Sequence, residues 1–358
     1  MSEIAEKTER SEKTERTEKM ERTEKTEKTE KTERNEKTER TKKTEKRKRF
    51  IGMKNNPIYR REMTVSSRSI RYPVMIMLFN SILALVAFLD MYSALSQVRL
   101  TAEIQYSRFL ELYVFVASIE FILLLGLMPA LTAGSISGER ERQTLELLLS
   151  TQATPLQIVT GKLFSSLSHA ALMIVSSFPI IALVFVYGGI RMVDLGVLIL
   201  LYIAVALFAA SLGIYFSALC KKSTMATAVS YGVLLFLLIG TYVVNWFVVS
   251  MAQTSAQGYF NQVGGSRTQM NSGAFFYLLL LNPAVTFYRM ISNQAGSGNA
   301  QETILQWFGT RSSNFILDAW IPVSIILWVF LAVLLLMGAV KMIDPVFGKR
   351  KKKKKKEN

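Results

Sequence analysis

The stretch GERERQTLELLLSTQATPLQIVTGK, residues Gly138–Lys162, lies between two long apolar runs of the chain. Four charged residues stand near its start, and leucines then recur at the three- and four-residue spacing of one helix face. A connection between two membrane spans needs only a few polar residues to reverse the chain. The stretch therefore predicts a short amphipathic helix outside the membrane, with a role beyond joining two spans.

The apolar runs on both sides of this stretch predict the fold class. The chain has 358 residues, of which 50% are hydrophobic, and its mean hydropathy is +0.25. The hydrophobic residues are concentrated in runs of about 20 residues or more, the length at which a helix crosses a bilayer. We expect an all-α polytopic membrane protein with six spans, at 73–92, 112–133, 162–187, 195–219, 225–250 and 316–341.

The parts of the chain outside the spans differ sharply in composition. Residues 1–49 repeat Glu, Lys or Arg, and Thr with little to bury, which predicts a charged, mostly disordered tail. Residues 50–72 mix arginines with apolar side chains and predict an amphipathic elbow helix on the membrane surface. The membrane domain, 73–342, follows, and residues 343–358 form a polybasic tail. The net charge of +16 lies mostly in the tails, which argues against a nucleic-acid-binding fold and favours contact with membrane lipid.

The distribution of basic residues predicts the orientation. Six spans place both termini on one side of the membrane, together with the elbow helix and the stretch Gly138–Lys162. This side carries most of the lysines and arginines, and cytoplasmic segments are enriched in both. The sequence therefore predicts a multi-pass protein of the plasma membrane with both termini in the cytoplasm.

A further apolar run, AFFYLLLLNPAVTFYRMI at Ala274–Ile291, precedes the last span. Asn282-Pro283 interrupts it, because the residue before a proline is disfavoured in the helical conformation. A seventh span would also place the final lysine run outside the cell, against the positive-inside rule. We expect a re-entrant segment that enters from the outer side. The preceding stretch, Thr254–Gly273, is polar and Gly-rich and predicts an exposed loop.

The sequence offers no pattern for a nucleotide, metal or catalytic site. Gly161-Lys162 and Gly348-Lys349 lack the remaining residues of a phosphate-binding loop. The chain has one cysteine and one histidine, too few for the usual metal clusters. We therefore expect a protein that is not an enzyme and has no cofactor or metal of its own. Energy for transport would come from an ion gradient or from a partner.

Glu120 is the polar residue that stands out within the predicted spans. A carboxyl group in a span can belong to a proton path or contact a substrate. It can equally form a hydrogen bond between two helices. Both alternatives remain open on the sequence.

Several motifs in this order resemble the type-2 ABC exporter permeases, the membrane subunits of ATP-binding-cassette transporters. Glu139-Arg140-Glu141, Thr144-Leu145-Glu146, Thr154-Pro155 and Gly161-Lys162 match the family's signature region in type and spacing. NPIYRREMTVSSRSIR is similar to its elbow helix, and LNPAVTF to an Asn-Pro before its last span. One departure is Gln143, where the family often has glycine. Glutamine favours a helix more than glycine does, so we expect it to extend the helix.

The resemblance implies a permease subunit of an ATP-driven exporter in a prokaryotic plasma membrane. The helix between spans 2 and 3 would be the coupling helix, which docks in a cleft of a separate ABC ATPase. Its charged residues would pair with the ATPase, and its leucines would fill a groove there. A second permease, identical or homologous, and a second ATPase would complete the complex, with ATP and Mg on the ATPases. The residues so assigned are Glu139, Arg140, Glu141, Arg142, Thr144, Leu145, Glu146, Leu148 and Leu149.

Two other functions remain open from the residues alone. An ion-coupled secondary transporter would use Glu120 and would often carry an internal repeat, which the sequence does not show. A non-transport scaffold would recruit cytosolic proteins through the charged tail. The low charge of the spans favours an amphipathic or lipid-like cargo.

Overall fold

The computed structural model describes residues 56–101, 107–150, 154–186, 190–263, 272–295, 304 and 315–343. The tail predicted at 1–49 and residues 344–358 of the polybasic tail lie outside the described residues. The chain from Pro57 onwards forms one unit by its internal contacts.

The described residues form helices and no strand. The α-helices are α1 Pro57–Arg68, α2 Arg71–Thr101, α3 Ser107–Thr132, α4 Ser137–Glu141, α5 Thr144–Ser150, α6 Pro155–Val186, α7 Met192–Leu219, α8 Ser223–Leu235, α9 Thr241–Val263, α10 Pro283–Gln294, α11 Phe315–Asp318 and α12 Trp320–Ile343. A π-helical turn, Phe236–Gly240, joins α8 to α9, and a 3-10 helix, Gly273–Leu281, precedes α10.

Six helical stretches in the described part of the chain are long and apolar enough to cross a membrane. They are Tyr72–Ser93, Leu110–Glu141, Pro155–Ala182, Met192–Leu219, Ser223–Thr254 and Trp320–Ile343. The prediction of an all-α protein with six spans is confirmed. Helix α1 lies within the segment that the sequence assigned to the elbow helix.

Helix α7, the fourth span, is the centre of the bundle. It packs against α3, α6, α8 and α12, and most of its length is buried. Small residues allow such close packing of membrane helices. At Gly213 of α7, an added Cβ atom would lie 2.0 Å from Thr132 Oγ1 of α3. The crossing of the second and fourth spans therefore requires glycine at this position.

The predicted loop at Thr254–Gly273 is wrong over its first ten residues. Helix α9 continues to Val263, and residues 264–271 lie outside the described residues. The stretch from Thr254 to Val263 contains no proline, and its alanine and two glutamines favour a helix. Polar composition alone was a poor guide to where the fifth span's helix ends.

Candidate functional site

Two short helices follow α3: α4, which ends the second apolar stretch at Glu141, and α5, which leads on to the third. Arg142 and Gln143 separate them, and Gln143 has φ +57°, a left-handed conformation that ends helices and favours glycine. The expectation that Gln143 extends the helix is therefore wrong. The contacts of Glu141 before the turn and the burial of Leu145 after it outweigh the weak helix preference of one glutamine.

The start of α6 follows the sequence closely. Thr154 Oγ1 accepts a hydrogen bond from the Gln157 backbone N–H at 3.3 Å, and Gln157 Oε1 accepts one from the Thr154 N–H at 2.9 Å. This reciprocal pair is a capping box, with Pro155 in the first helical position. The helix then runs on as the third span.

Three charged side chains meet near the amino end of α6. Lys162 Nζ lies 2.8 Å from Glu139 Oε1 and 3.0 Å from Glu62 Oε1. The Lys162 side chain is only 4% exposed, and a buried ammonium requires such partners. The three residues, named here the Lys162 triad, connect α4 to α6 and to α1.

Arg140 binds the carboxyl end of α7. Its guanidinium donates hydrogen bonds to the carbonyl oxygens of Cys220 at 2.8 Å and of Ala218 at 3.0 Å. The last carbonyls of a helix have no partner within the helix and attract a cation. Arg140, a residue of α4, thus caps the carboxyl end of the fourth span.

Glu141 binds the amino end of α8. Its carboxylate accepts hydrogen bonds from the Ser223 backbone N–H, at 2.9 Å, and from the Ser223 hydroxyl. An anion at the first turn of a helix satisfies its free N–H groups. Glu139, Arg140 and Glu141, named here the clamp, therefore hold three neighbouring helices with three consecutive side chains.

A buried serine supports the start of α4. Ser217 Oγ on α7 accepts hydrogen bonds from the backbone N–H groups of Ile136 and Ser137, both at 2.9 Å. These N–H groups belong to the residue before α4 and to its first residue, and neither has an acceptor within the helix. Sequence reasoning missed Ser217, Ser223 and Glu62, since a serine or glutamate near a helix end carries no distinctive pattern.

The predicted coupling residues divide between the inside and the outside of the chain. The clamp, which the sequence assigned to the ATPase, bonds within the chain. Leu145 is buried, while Leu148 and Leu149 are half-buried, and Leu149 packs against the main core. Among the residues from the break onward whose exposure the structure describes, the exposed ones, named here the outward face, are Arg142, Gln143, Thr144 and Glu146.

Glu120 lies in the core between the second and third spans and is 0% exposed. Its Oε1 accepts a hydrogen bond from the Ser177 hydroxyl of α6 at 2.6 Å. Its Oε2 is buried without a hydrogen-bond partner among the residues that the structure describes. The carboxyl group thus joins two helices.

The chain bends by 86° between the 3-10 helix and α10. Asn282 stands at the bend: its Oδ1 caps α10 by accepting the Ala284 N–H at 2.9 Å, and Pro283 begins the helix. Its Nδ2 donates to Leu238 O and to Thr241 Oγ1, both at 2.8 Å. Leu238 lies in the π-helical turn, where wider winding disturbs the usual hydrogen bonding. Asn282 therefore reaches the middle of the fifth span.

The far end of α10 meets the ends of two other spans. Gln294 accepts a hydrogen bond from the Tyr113 hydroxyl at 2.7 Å and donates one to Asp194 O at 2.8 Å. Both residues lie at the ends of α3 and α7 that are opposite to α4. At 1.5 Å per residue, the 12 residues of α10 extend about 18 Å. Helix α10 thus connects the middle of the bundle to the side away from α4.

Side-chain contacts also join α10 to the last span. Trp320 Nε1 donates to Thr286 Oγ1 at 3.1 Å, and Thr286 Oγ1 lies 3.1 Å from Ser324 Oγ. Arg289 donates to Leu317 O, and its guanidinium lies 5.3 Å from the centre of the Trp320 ring.

A mostly apolar groove of about 440 Å³ separates α10 from α3. Phe121 and Phe287 stack beside it with ring centres 4.3 Å apart. The lining residues are Val114, Ser118, Phe121, Ile122, Ala284, Phe287, Tyr288, Ile291, Ser292 and Ala295.

The family comparison covers this whole arrangement. A family model described as ABC-2 family transporter protein matches residues 56–350, a range that includes every helix from α1 to α12. The chain belongs to the ABC-2 transporter family. No curated protein matches it. The resemblance found in the sequence is confirmed. The protein is a membrane permease of an ABC transporter. Permeases of this family generally work with an ABC ATPase.

Proposed function

We propose that this permease couples ATP hydrolysis by a separate ABC ATPase to export of a substrate, with α4–α5 as the docking element. The observation that supports this most is the division of α4–α5. Its clamp is bound to the permease's own helices, whereas its outward face is polar and exposed. ATP and Mg would bind to the ATPase.

The clamp would transmit the movement of the ATPase to the spans. Force applied to a loosely attached connection is lost in that connection. Here the charged hydrogen bonds of Glu139, Arg140 and Glu141 reach α6, α7 and α8, and such bonds are stronger than neutral ones. Displacement of α4–α5 would therefore move the third, fourth and fifth spans together.

The outward face, rather than the leucines, would contact the ATPase first. Arg142 and Glu146 carry opposite charges on exposed positions, and charge complementarity fixes the orientation of docking surfaces. Leu145 is occupied within the permease. Leu148 and Leu149, half-buried, could add contact area at the edge. A second permease and a second ATPase would complete the transporter.

In the orientation that the basic residues predict, α4–α5 would lie in the cytoplasm, and we propose that the cell is prokaryotic. Helix α10 then approaches from the outer side, because its far end meets Tyr113 and Asp194. The groove beside α10, with its apolar lining, supports an amphipathic or lipid-like cargo. Membership of the ABC-2 family argues against the ion-coupled transporter and the scaffold.

The test is reconstitution of the permease in proteoliposomes with the ATPase that co-purifies with it. The double variant Arg142→Glu/Glu146→Lys reverses both charges of the outward face, and Lys341→Glu reverses an exposed charge at the end of α12. We expect the double variant to lose stimulated ATP hydrolysis and ATP-dependent movement of a fluorescent phospholipid, while Lys341→Glu retains the ATP hydrolysis. Full stimulation by the double variant would exclude the outward face as the docking surface.

A further inference from the structure

Lys162 is more deeply buried, and has more ion-pair partners, than a lysine near the end of a membrane span usually has. It lies near the amino end of α6, on the side of α4, where a lysine side chain ordinarily extends into water. Instead its side chain is 4% exposed and contacts two carboxylates, at 2.8 Å and 3.0 Å. A buried cation with two such partners occupies one position, because leaving it would cost both ion pairs.

The two carboxylates come from different elements. Glu139 belongs to α4, and Glu62 belongs to α1. Helix α1 also packs along α6, where the Tyr59 hydroxyl lies 3.1 Å from Ser168 Oγ and Ile58 is buried. One ammonium group therefore fastens the elbow helix and the start of the docking element to the third span.

We infer that Lys162 is a positioning residue that makes α1 and α4 move with α6 as one unit during transport. The driving movement rests on the proposed function, but the mechanical connection does not. Without the ammonium, the two partly buried carboxylates that share it would repel each other, and this repulsion would drive α1 and α4 apart. The elbow helix is thereby included in the moving unit rather than left as a membrane anchor.

Three variants separate charge from mere packing. Lys162→Met removes the charge and retains a long side chain, whereas Lys162→Arg retains the charge. The triple variant Glu62→Gln/Glu139→Gln/Lys162→Met removes all three charges, so it lacks both the ion pairs and the repulsion. A purely structural role predicts that the triple variant recovers function together with stability.

The first measurement is the distance between α1 and α4 in the purified permease without ATPase. Spin labels are attached at Arg60→Cys and Arg142→Cys, both exposed positions, after replacement of the one cysteine by Cys220→Ser. We expect a narrow distance distribution with Lys162 and with Lys162→Arg. Lys162→Met should shift and broaden it, and the triple variant should broaden it.

The second measurement is stimulation of the co-purifying ATPase, in permeases without labels. We expect Lys162→Met and the triple variant to retain ATPase binding, because the outward face is unchanged, and to lose stimulation about tenfold, within the usual range of coupling between sites. Lys162→Arg should retain most of the stimulation of the ATPase.

The inference is overturned if Lys162→Met leaves the distance distribution and the stimulation unchanged, or if the triple variant restores both. Should Lys162→Met fail to fold, the triple variant supplies the decisive comparison. Failure of the proposed function would show differently, as absence of stimulation by the unchanged permease. The distance measurement would then still decide whether Lys162 holds α1 and α4 together.

Discussion

Two pairs of short helices lie between spans in the part of the permease that the structure describes, and different chemistry holds each pair in place. The pair α4–α5 is held by charged groups, with the Lys162 triad and Arg140 as its main contacts. The pair formed by the 3-10 helix and α10 is held at its bend by the neutral amide of Asn282, and the charged contact of Arg289 with Leu317 O lies about two turns further along α10. Each pair satisfies helix ends that would otherwise lack hydrogen-bond partners.

We infer that the difference at the two positions reflects where each lies along the spans. A charged group is costly in the hydrocarbon region, whereas a neutral amide whose hydrogen bonds are satisfied is tolerated there. Asn282 meets Leu238 and Thr241 in the middle of the fifth span, while the clamp lies at the ends of spans. We infer that the α4–α5 pair is built to transmit force and the α10 pair to fill space between spans.

The largest expected effect is at Arg140 in the charged pair. Arg140→Ala would leave the carbonyls of Ala218 and Cys220 without their cation, so we expect a loss of about 3 kcal/mol in the free energy of unfolding. The measurement is denaturation of the purified permease in detergent micelles.

Arg142→Ala is the matched control, because Arg142 is exposed two residues further on. Arg142→Ala should lower the free energy of unfolding by no more than about 0.5 kcal/mol. Equal losses for the two variants would show that the clamp contributes nothing beyond an ordinary surface charge.

The neutral pair should show a smaller effect at its bend. Asn282→Ala removes the cap of α10 and leaves Leu238 O and Thr241 Oγ1 without the amide, which should cost about 2 kcal/mol in the same denaturation. Asn245→Ala is the control: this asparagine is also buried, but among the described residues its amide donates to Thr241 O of its own helix and to no other helix. A greater loss at Asn245 would mean that the bend does not depend on Asn282.

The smallest expected effect is a gain at the break between α4 and α5. Gln143→Gly relieves a left-handed conformation and should raise the free energy of unfolding by up to about 1 kcal/mol. Glu146→Gly, three residues later within α5, should lower it by about 1 kcal/mol. If both glycines destabilise the permease, Gln143 is not strained.

Much of the fold follows from sequence because the bilayer imposes length and polarity on every span. The six spans and the break at Asn282 both rest on local rules of helix length and geometry. The end of α9 did not follow from composition, since polar residues can continue a helix into water.

The candidate site was less predictable, because its meaning lies in contacts between distant residues. The sequence drew attention to Glu139, Arg140 and Glu141, but their partners stand up to 82 positions away. Nothing local indicates that Ser223 would meet Glu141. The left-handed turn at Gln143 was missed for the same reason: contacts on both sides of the turn decide its shape.

Photo-crosslinking from α5 tests the central claim most directly. A benzophenone amino acid is placed at Glu146 on the outward face, at the buried Leu145, or at the exposed Lys341 of α12. We predict that the complex with the co-purifying ATPase yields a permease–ATPase product from position 146 and little from 145 or 341. A product from position 145 with none from 146 would contradict the account and return the docking role to the leucine face.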